Sequence, residues 1–83
     1  MNYVYVLLCE KDGGFYIGYT KDLKKRFKQH SLGQSKSTKY RLPVKLIYYE
    51  AFLNNADARS REEYLKSGYG RNQLKDILKN YLN

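Results

Sequence analysis

The segment from Tyr3 to Tyr19 constrains the fold more than any other. Tyr3 to Cys9 is an unbroken apolar run of aromatic, β-branched and aliphatic residues. At seven residues it reads as a strand buried on both faces. Lys11-Asp12-Gly13-Gly14 comes next, and Asp-Gly-Gly supplies positive φ with little steric cost. Phe15 to Tyr19 is a second short strand. Two such runs joined by a Gly-containing link predict a β-hairpin.

The remaining elements follow by their caps and periods. Asp22 is a candidate N-cap for a helix that Gly33 ends. At 100° per residue, Leu23, Arg26, Phe27 and His30 share one face, and Lys24, Lys25, Lys28 and Gln29 lie on the other. Arginine is an unusual residue on or beside a buried face. Residues 33–42 have no periodicity and read as a basic loop, which Pro43 punctuates. Val44 to Glu50 is a third strand. Asn54-Asn55 then caps a helix of about eleven residues that ends at Gly68. Gly70 leads into a last helix, with Leu74, Ile77, Leu78 and Tyr81 at i, i+3, i+4 and i+7. The order β-β-α-β-α-α predicts an α+β fold: a small three-stranded, mainly antiparallel sheet flanked by helices. The 83 residues suit one domain, 1–83, with a small core.

Composition narrows the function. Sixteen basic residues against eight acidic leave a net charge of +8, which suggests a polyanionic partner. Nine of the sixteen fall between Lys21 and Lys45, with Asp22 the sole acid among them. Such clustering suits phosphate binding, because release of condensed counterions drives association. A solvated helix face has the same local look. No apolar run is long enough to span a membrane, and the N-terminus lacks signal-peptide order. Cys9 is the sole cysteine and His30 the sole histidine, so neither a disulfide nor a zinc site is expected, and the expected compartment is a reducing cytoplasm.

Three positions stand out chemically. Ala58, Arg61, Glu62 and Leu65 form one helical stripe, which turns Glu62 toward the sheet and Glu63 toward water. A carboxylate on a buried stripe needs a partner. Either Glu62 pairs with Arg26 or Arg61, or it ligates a divalent cation, for which a hard carboxylate suits Mg²⁺ or Mn²⁺. Gly18, inside a strand, marks a bulge or the close approach of a ligand, with Tyr16 and Arg26 beside the gap. His30 reads either as a partly buried helix histidine or as a phosphate contact or proton carrier. Cys9 reads as a small core residue.

Together these residues resemble the GIY-YIG nuclease domain nearly end to end. The first half-motif stands as Tyr3-Val4-Tyr5, with Tyr3 in place of the usual glycine. The second is intact as Tyr16-Ile17-Gly18. Arg26, His30 four residues later and Glu62 on the following helix complete the pattern. The chain is most similar to the small stand-alone bacterial members. In the domain of the excision-repair nuclease subunit a lysine follows the second tripeptide; here Tyr19 stands there.

The resemblance implies an endonuclease that hydrolyses DNA phosphodiesters with one divalent ion, Mg²⁺ or Mn²⁺, in DNA repair or recombination. It implies Tyr5, Tyr16, Arg26, His30 and Glu62 as catalytic residues, with Glu62 the metal ligand. Arg26 would neutralise charge developing on the phosphate. Tyr16 would activate water with help from Tyr5, which requires a lowered tyrosine pKa. Lys24, Lys25, Lys28, Lys36, Lys39 and Arg41 are the expected DNA-binding surface. The alternative is a nucleic-acid-binding module with the same fold and little activity; a basic protein-interaction domain is a third reading. No DNA-targeting domain is expected in these residues, which leaves room for a homodimer or a protein partner.

Overall fold

A computed structural model describes residues 1–83. Strand β1 (Asn2–Cys9) and strand β2 (Gly14–Thr20) form the hairpin, with Gly13 at φ +71° in the turn. Asp12 stabilises that turn by accepting the Gly14 N–H at 2.8 Å. Helix α1 (Leu23–Ser31) starts where the Asp22 carboxylate accepts the Lys25 N–H at 3.1 Å. Strand β3 (Val44–Phe52) continues two residues past the expected end. Helix α2 (Asn55–Lys66) begins at the Asn54 cap, which accepts the N–H groups of Ala56 and Asp57.

The sheet is wholly antiparallel, in the order β2-β1-β3. Central β1 is buried on both faces, as its continuous apolar run requires. Its alternating side chains therefore serve two half-cores. Val4 and Val6 face Ala58 and Leu65 of α2, together with Ile17 and Leu74. Tyr5, Leu7 and Cys9 form the opposite half-core with Val44, against which Leu23 and Phe27 of α1 pack. Thus α1 covers one face of the sheet and α2 the other. No helix is long and apolar enough to cross a membrane.

The C-terminal helix departs from expectation. Helix α3 (Gly68–Ile77) begins at Ser67, whose hydroxyl accepts the Gly70 N–H at 3.2 Å. It ends at Leu78, and a separate turn, α4 (Lys79–Leu82), follows. Of the predicted apolar stripe Leu74 alone is fully buried, while Ile77 and Tyr81 remain exposed. The chief neighbour of α4 is α3, so the periodicity there has little of the sheet to cover it.

Candidate active site

Tyr5 lies directly opposite Gly18 in the β1–β2 register. Its ring fills the space over that glycine, where an added Cβ would overlap the ring carbons and hydroxyl. The gap expected beside Gly18 is thus occupied by the protein itself, and no bulge interrupts β2. The motif glycine is a consequence of the motif tyrosine across the hairpin.

The Tyr5 hydroxyl reaches His30 Nε2 at 2.8 Å, and His30 Nδ1 reaches the Thr38 hydroxyl at 2.7 Å. All three residues are buried. Burial, reinforced by the Arg26 charge, pushes the His30 imidazole down to about 4. It is therefore neutral at physiological pH, with one nitrogen donating and the other accepting. Arg26 has donors only and stands beside the Tyr5 oxygen. The consistent arrangement has Tyr5 donating to Nε2 and Nδ1–H donating to Thr38.

Burial also pushes the Tyr5 hydroxyl up to about 12. Arg26 pulls it the other way, while Tyr16 and Glu62 add to the rise. Tyr5 is thus protonated at neutral pH, the opposite of the lowering that a catalytic base needs. The expected help from Tyr5 to Tyr16 takes a different form, because Tyr5 bonds His30. The Tyr16 ring packs 6.3 Å from the Tyr5 ring and 5.2 Å from the His30 ring, centroid to centroid. Tyr16 is half-buried. His30 cannot touch a phosphate where it sits, because it is fully buried and both its nitrogens are engaged.

Arg26 is half-buried at the border of this cluster, as the helical face predicts. Its guanidinium donates to Gln29 Oε1 at 3.0 Å and to the Ser35 hydroxyl at 3.2 Å. Ser35 is buried and exchanges a hydrogen bond with Ser37 at 2.8 Å. Gln29, expected on the solvent face, is half-buried by this contact. A third N–H faces the Tyr5 oxygen, and the remaining donors have no protein partner.

Glu62 projects from α2, the helix whose Ala58 and Leu65 pack on the Val4–Val6 face of the sheet. Its side chain is 14% exposed and paired with Lys66 at 3.1 Å and Arg59 at 3.8 Å. Neither Arg26 nor Arg61 is its partner. Arg61 instead makes two hydrogen bonds to Glu50 on β3, at 2.8 and 3.0 Å. Helical neighbours at i−3 and i+4 lie closer to Glu62 than Arg61 does. The Glu62 charge lies near enough to Tyr5 to add a small part to the upward push on that hydroxyl, which burial dominates. None of the three surface clefts is lined by Tyr5, Tyr16, Arg26, His30 or Glu62. The site is a packed surface cluster, not a cavity.

Lys24, Lys25, Lys28, Lys36 and Lys39 are exposed and form no ion pairs. Arg41 differs: it makes a two-pronged contact with Asp12, at 2.7 and 3.2 Å, that ties the loop to the hairpin turn. It is therefore a brace and not a free phosphate contact. Ser35 and Thr38 are the residues that sequence reasoning missed. The signal was available: a histidine on a buried face needs two partners, and the next loop is rich in hydroxyls.

The chain matches the GIY-YIG catalytic domain over residues 1–75. It is 52% identical to a UPF0213 protein of Clostridium perfringens over 67 residues, 80% of this chain and 71% of that protein. A UPF0213 protein of Staphylococcus saprophyticus is 43% identical over 77 residues, 92% of this chain and 93% of its own length. The solution NMR structure of a UPF0213 protein from Bacillus halodurans is similar at a TM-score of 0.59 and 40% identity. That likeness covers 93% of this chain and 85% of the other.

Proposed function

The chain belongs to the GIY-YIG catalytic domain family, a family of nucleases, and from that premise we propose that it is a divalent-metal-dependent endonuclease hydrolysing DNA phosphodiester bonds. The net charge of +8 accords with a polyanionic substrate, and repair or recombination is the role we assign to the cutting. One observation carries the reading: Arg26 keeps guanidinium donors without a protein partner beside a buried Tyr5–His30–Thr38 chain, with Tyr16 packed on the same cluster.

Each side chain has a role its geometry supports. Arg26 receives the scissile phosphate and neutralises the charge that develops on it. Gln29 and Ser35 hold the guanidinium plane in place. Tyr16 makes no hydrogen bond within the protein, so its hydroxyl is free to orient the attacking water and, once it has given its own proton to solvent, to accept one from that water. His30 and Tyr5 are positioning residues: they fix the wall against which Tyr16 packs.

Glu62 is the candidate metal ligand. No group of three His, Cys, Asp or Glu side chains exists to cage an ion. A lone carboxylate suits Mg²⁺ or Mn²⁺, which keep several waters and take further ligands from substrate phosphate. Its pairing with Lys66 at i+4 is of a kind worth only tenths of a kcal/mol, so an ion can displace it. When bound, such an ion supplies Lewis-acid polarisation of the phosphate. The test is incubation with duplex, single-stranded and branched DNA in Mg²⁺, Mn²⁺ or EDTA. Metal-dependent cutting of any substrate is expected.

A nucleic-acid-binding module with little activity is the second reading. It is favoured by the pairing of Glu62 with Lys66 and Arg59, which already satisfies the carboxylate. Salt-sensitive binding without cutting on any substrate would select it.

A further inference from the structure

The residue that breaks the first half-motif lies in a cleft of its own. Tyr3 stands two residues before Tyr5 on the same face of β1, and Tyr49 on β3 is the cross-strand partner of Tyr5. The Tyr3 and Tyr49 rings meet edge to face, with centroids 6.1 Å apart and planes at 65°. Tyr49 is 53% exposed, high for so large a ring within a strand. Together with Lys21, Asp22, Leu23 and Lys24 from the start of α1, the tyrosines line an open cleft of about 420 Å³. Neither lysine forms an ion pair.

We propose that this cleft is a subsite for one unpaired DNA base, stacked on Tyr49 and Tyr3, with its flanking phosphate held by Lys21 and Lys24. The assignment rests on the reading that the chain acts on DNA, and it adds a preference for strands with an unpaired base. Every base has a π-face, so aromatic rings beside cations take single strands regardless of sequence. An angled ring pair offers a planar group one face and one edge. Asp22 argues against an isolated phosphate as the occupant. Asp22 lines the cleft while its carboxylate caps α1 through the Lys25 N–H, and a negative charge there disfavours an anion placed centrally, whereas a neutral base fits with its phosphate displaced toward the lysines. The cleft is one strand step from Tyr5, roughly 7 Å for two residues of strand.

Fluorescence anisotropy with a labelled single strand and with a blunt duplex, in EDTA, tests the subsite without requiring cleavage. Tyr49→Ala should weaken single-strand binding about tenfold and duplex binding less than about twofold. Tyr49→Phe, which keeps the ring, should bind like the wild type. Replacing bases of the single strand with abasic positions should reproduce the loss and add nothing to Tyr49→Ala. Unchanged single-strand affinity in Tyr49→Ala, equal losses on both DNAs, or a Tyr49→Phe loss as large as that of alanine would overturn the proposal. A nuclease that fails to cut but shows this binding pattern leaves the subsite standing and removes the catalytic reading alone.

Discussion

Tyr5 and Gly18 are cross-strand partners, and the Tyr5 ring lies where a side chain at position 18 would begin. Gly18→Ala must therefore displace the ring or part the strands. Overpacking of this kind costs about 1–3 kcal/mol. In a domain of this size the melting temperature should fall by about 4–8 °C per kcal/mol. Cleavage should be lost as well, because the displaced hydroxyl releases His30. A Gly18→Ala variant with the wild-type melting temperature would contradict the packing described.

His30 sets a pH limit on stability. Its folded pKa, about 4, lies below the ordinary histidine value near 6.5. Between these values the unfolded chain binds a proton that the folded chain refuses, so stability rises with pH. The contribution is fully present above pH about 6.5 and is lost as pH falls toward about 4. Its size is on the order of 3 kcal/mol, from about 2.5 pKa units at about 1.36 kcal/mol each. Urea titrations from pH 7 to 4 should show this loss in the wild type. His30→Asn, however stable, should lack the step.

The two motif tyrosines should separate by readout. Tyr16→Phe removes a hydroxyl with no partner in the protein, so stability should change by less than about 0.5 kcal/mol. Single-turnover cleavage should nevertheless fall about 100- to 10,000-fold. Tyr5→Phe leaves buried His30 Nε2 without its partner, which costs about 1–3 kcal/mol of stability. Reversal of this pattern would make Tyr5 the chemical group and Tyr16 the structural one.

DNA affinity should distinguish two kinds of basic residue. Replacing Lys24, Lys25 and Lys28 together by alanine should reduce the slope of log K against log salt by about 2–3, near 0.9 for each phosphate no longer neutralised. Arg41→Ala should leave that slope unchanged and lower stability instead, since Arg41 braces Asp12. Filter binding between 50 and 200 mM salt reads the difference.

Much of the fold is legible in the amino-acid sequence. The continuous run Tyr3–Cys9 names a central strand, and Asp22 and Asn54 name two caps, because turn and cap chemistry is local. The helical period also turns Arg26 and His30 inward, as they stand. What a one-dimensional pattern does not give is the partner each meets. Thr38 and Ser35 reach the site from a loop without periodicity. Gly18 signals a close approach without saying by what, and the answer lies across the hairpin. Glu62 faces a buried stripe as read, but which face of the sheet that stripe covers only the stacking of α2 against Val4 and Val6 reveals.

Glu62 and Arg26, one on each helix, are the decisive pair. Single-turnover cleavage of a branched DNA in Mg²⁺, at saturating protein, should be compared in the wild type, Glu62→Ala and Arg26→Ala, with binding measured in parallel. The account predicts cutting by the wild type and a loss of about 100-fold or more in each variant, with DNA still bound. Cutting by either variant at the wild-type rate, or no cutting by the wild type, would contradict it.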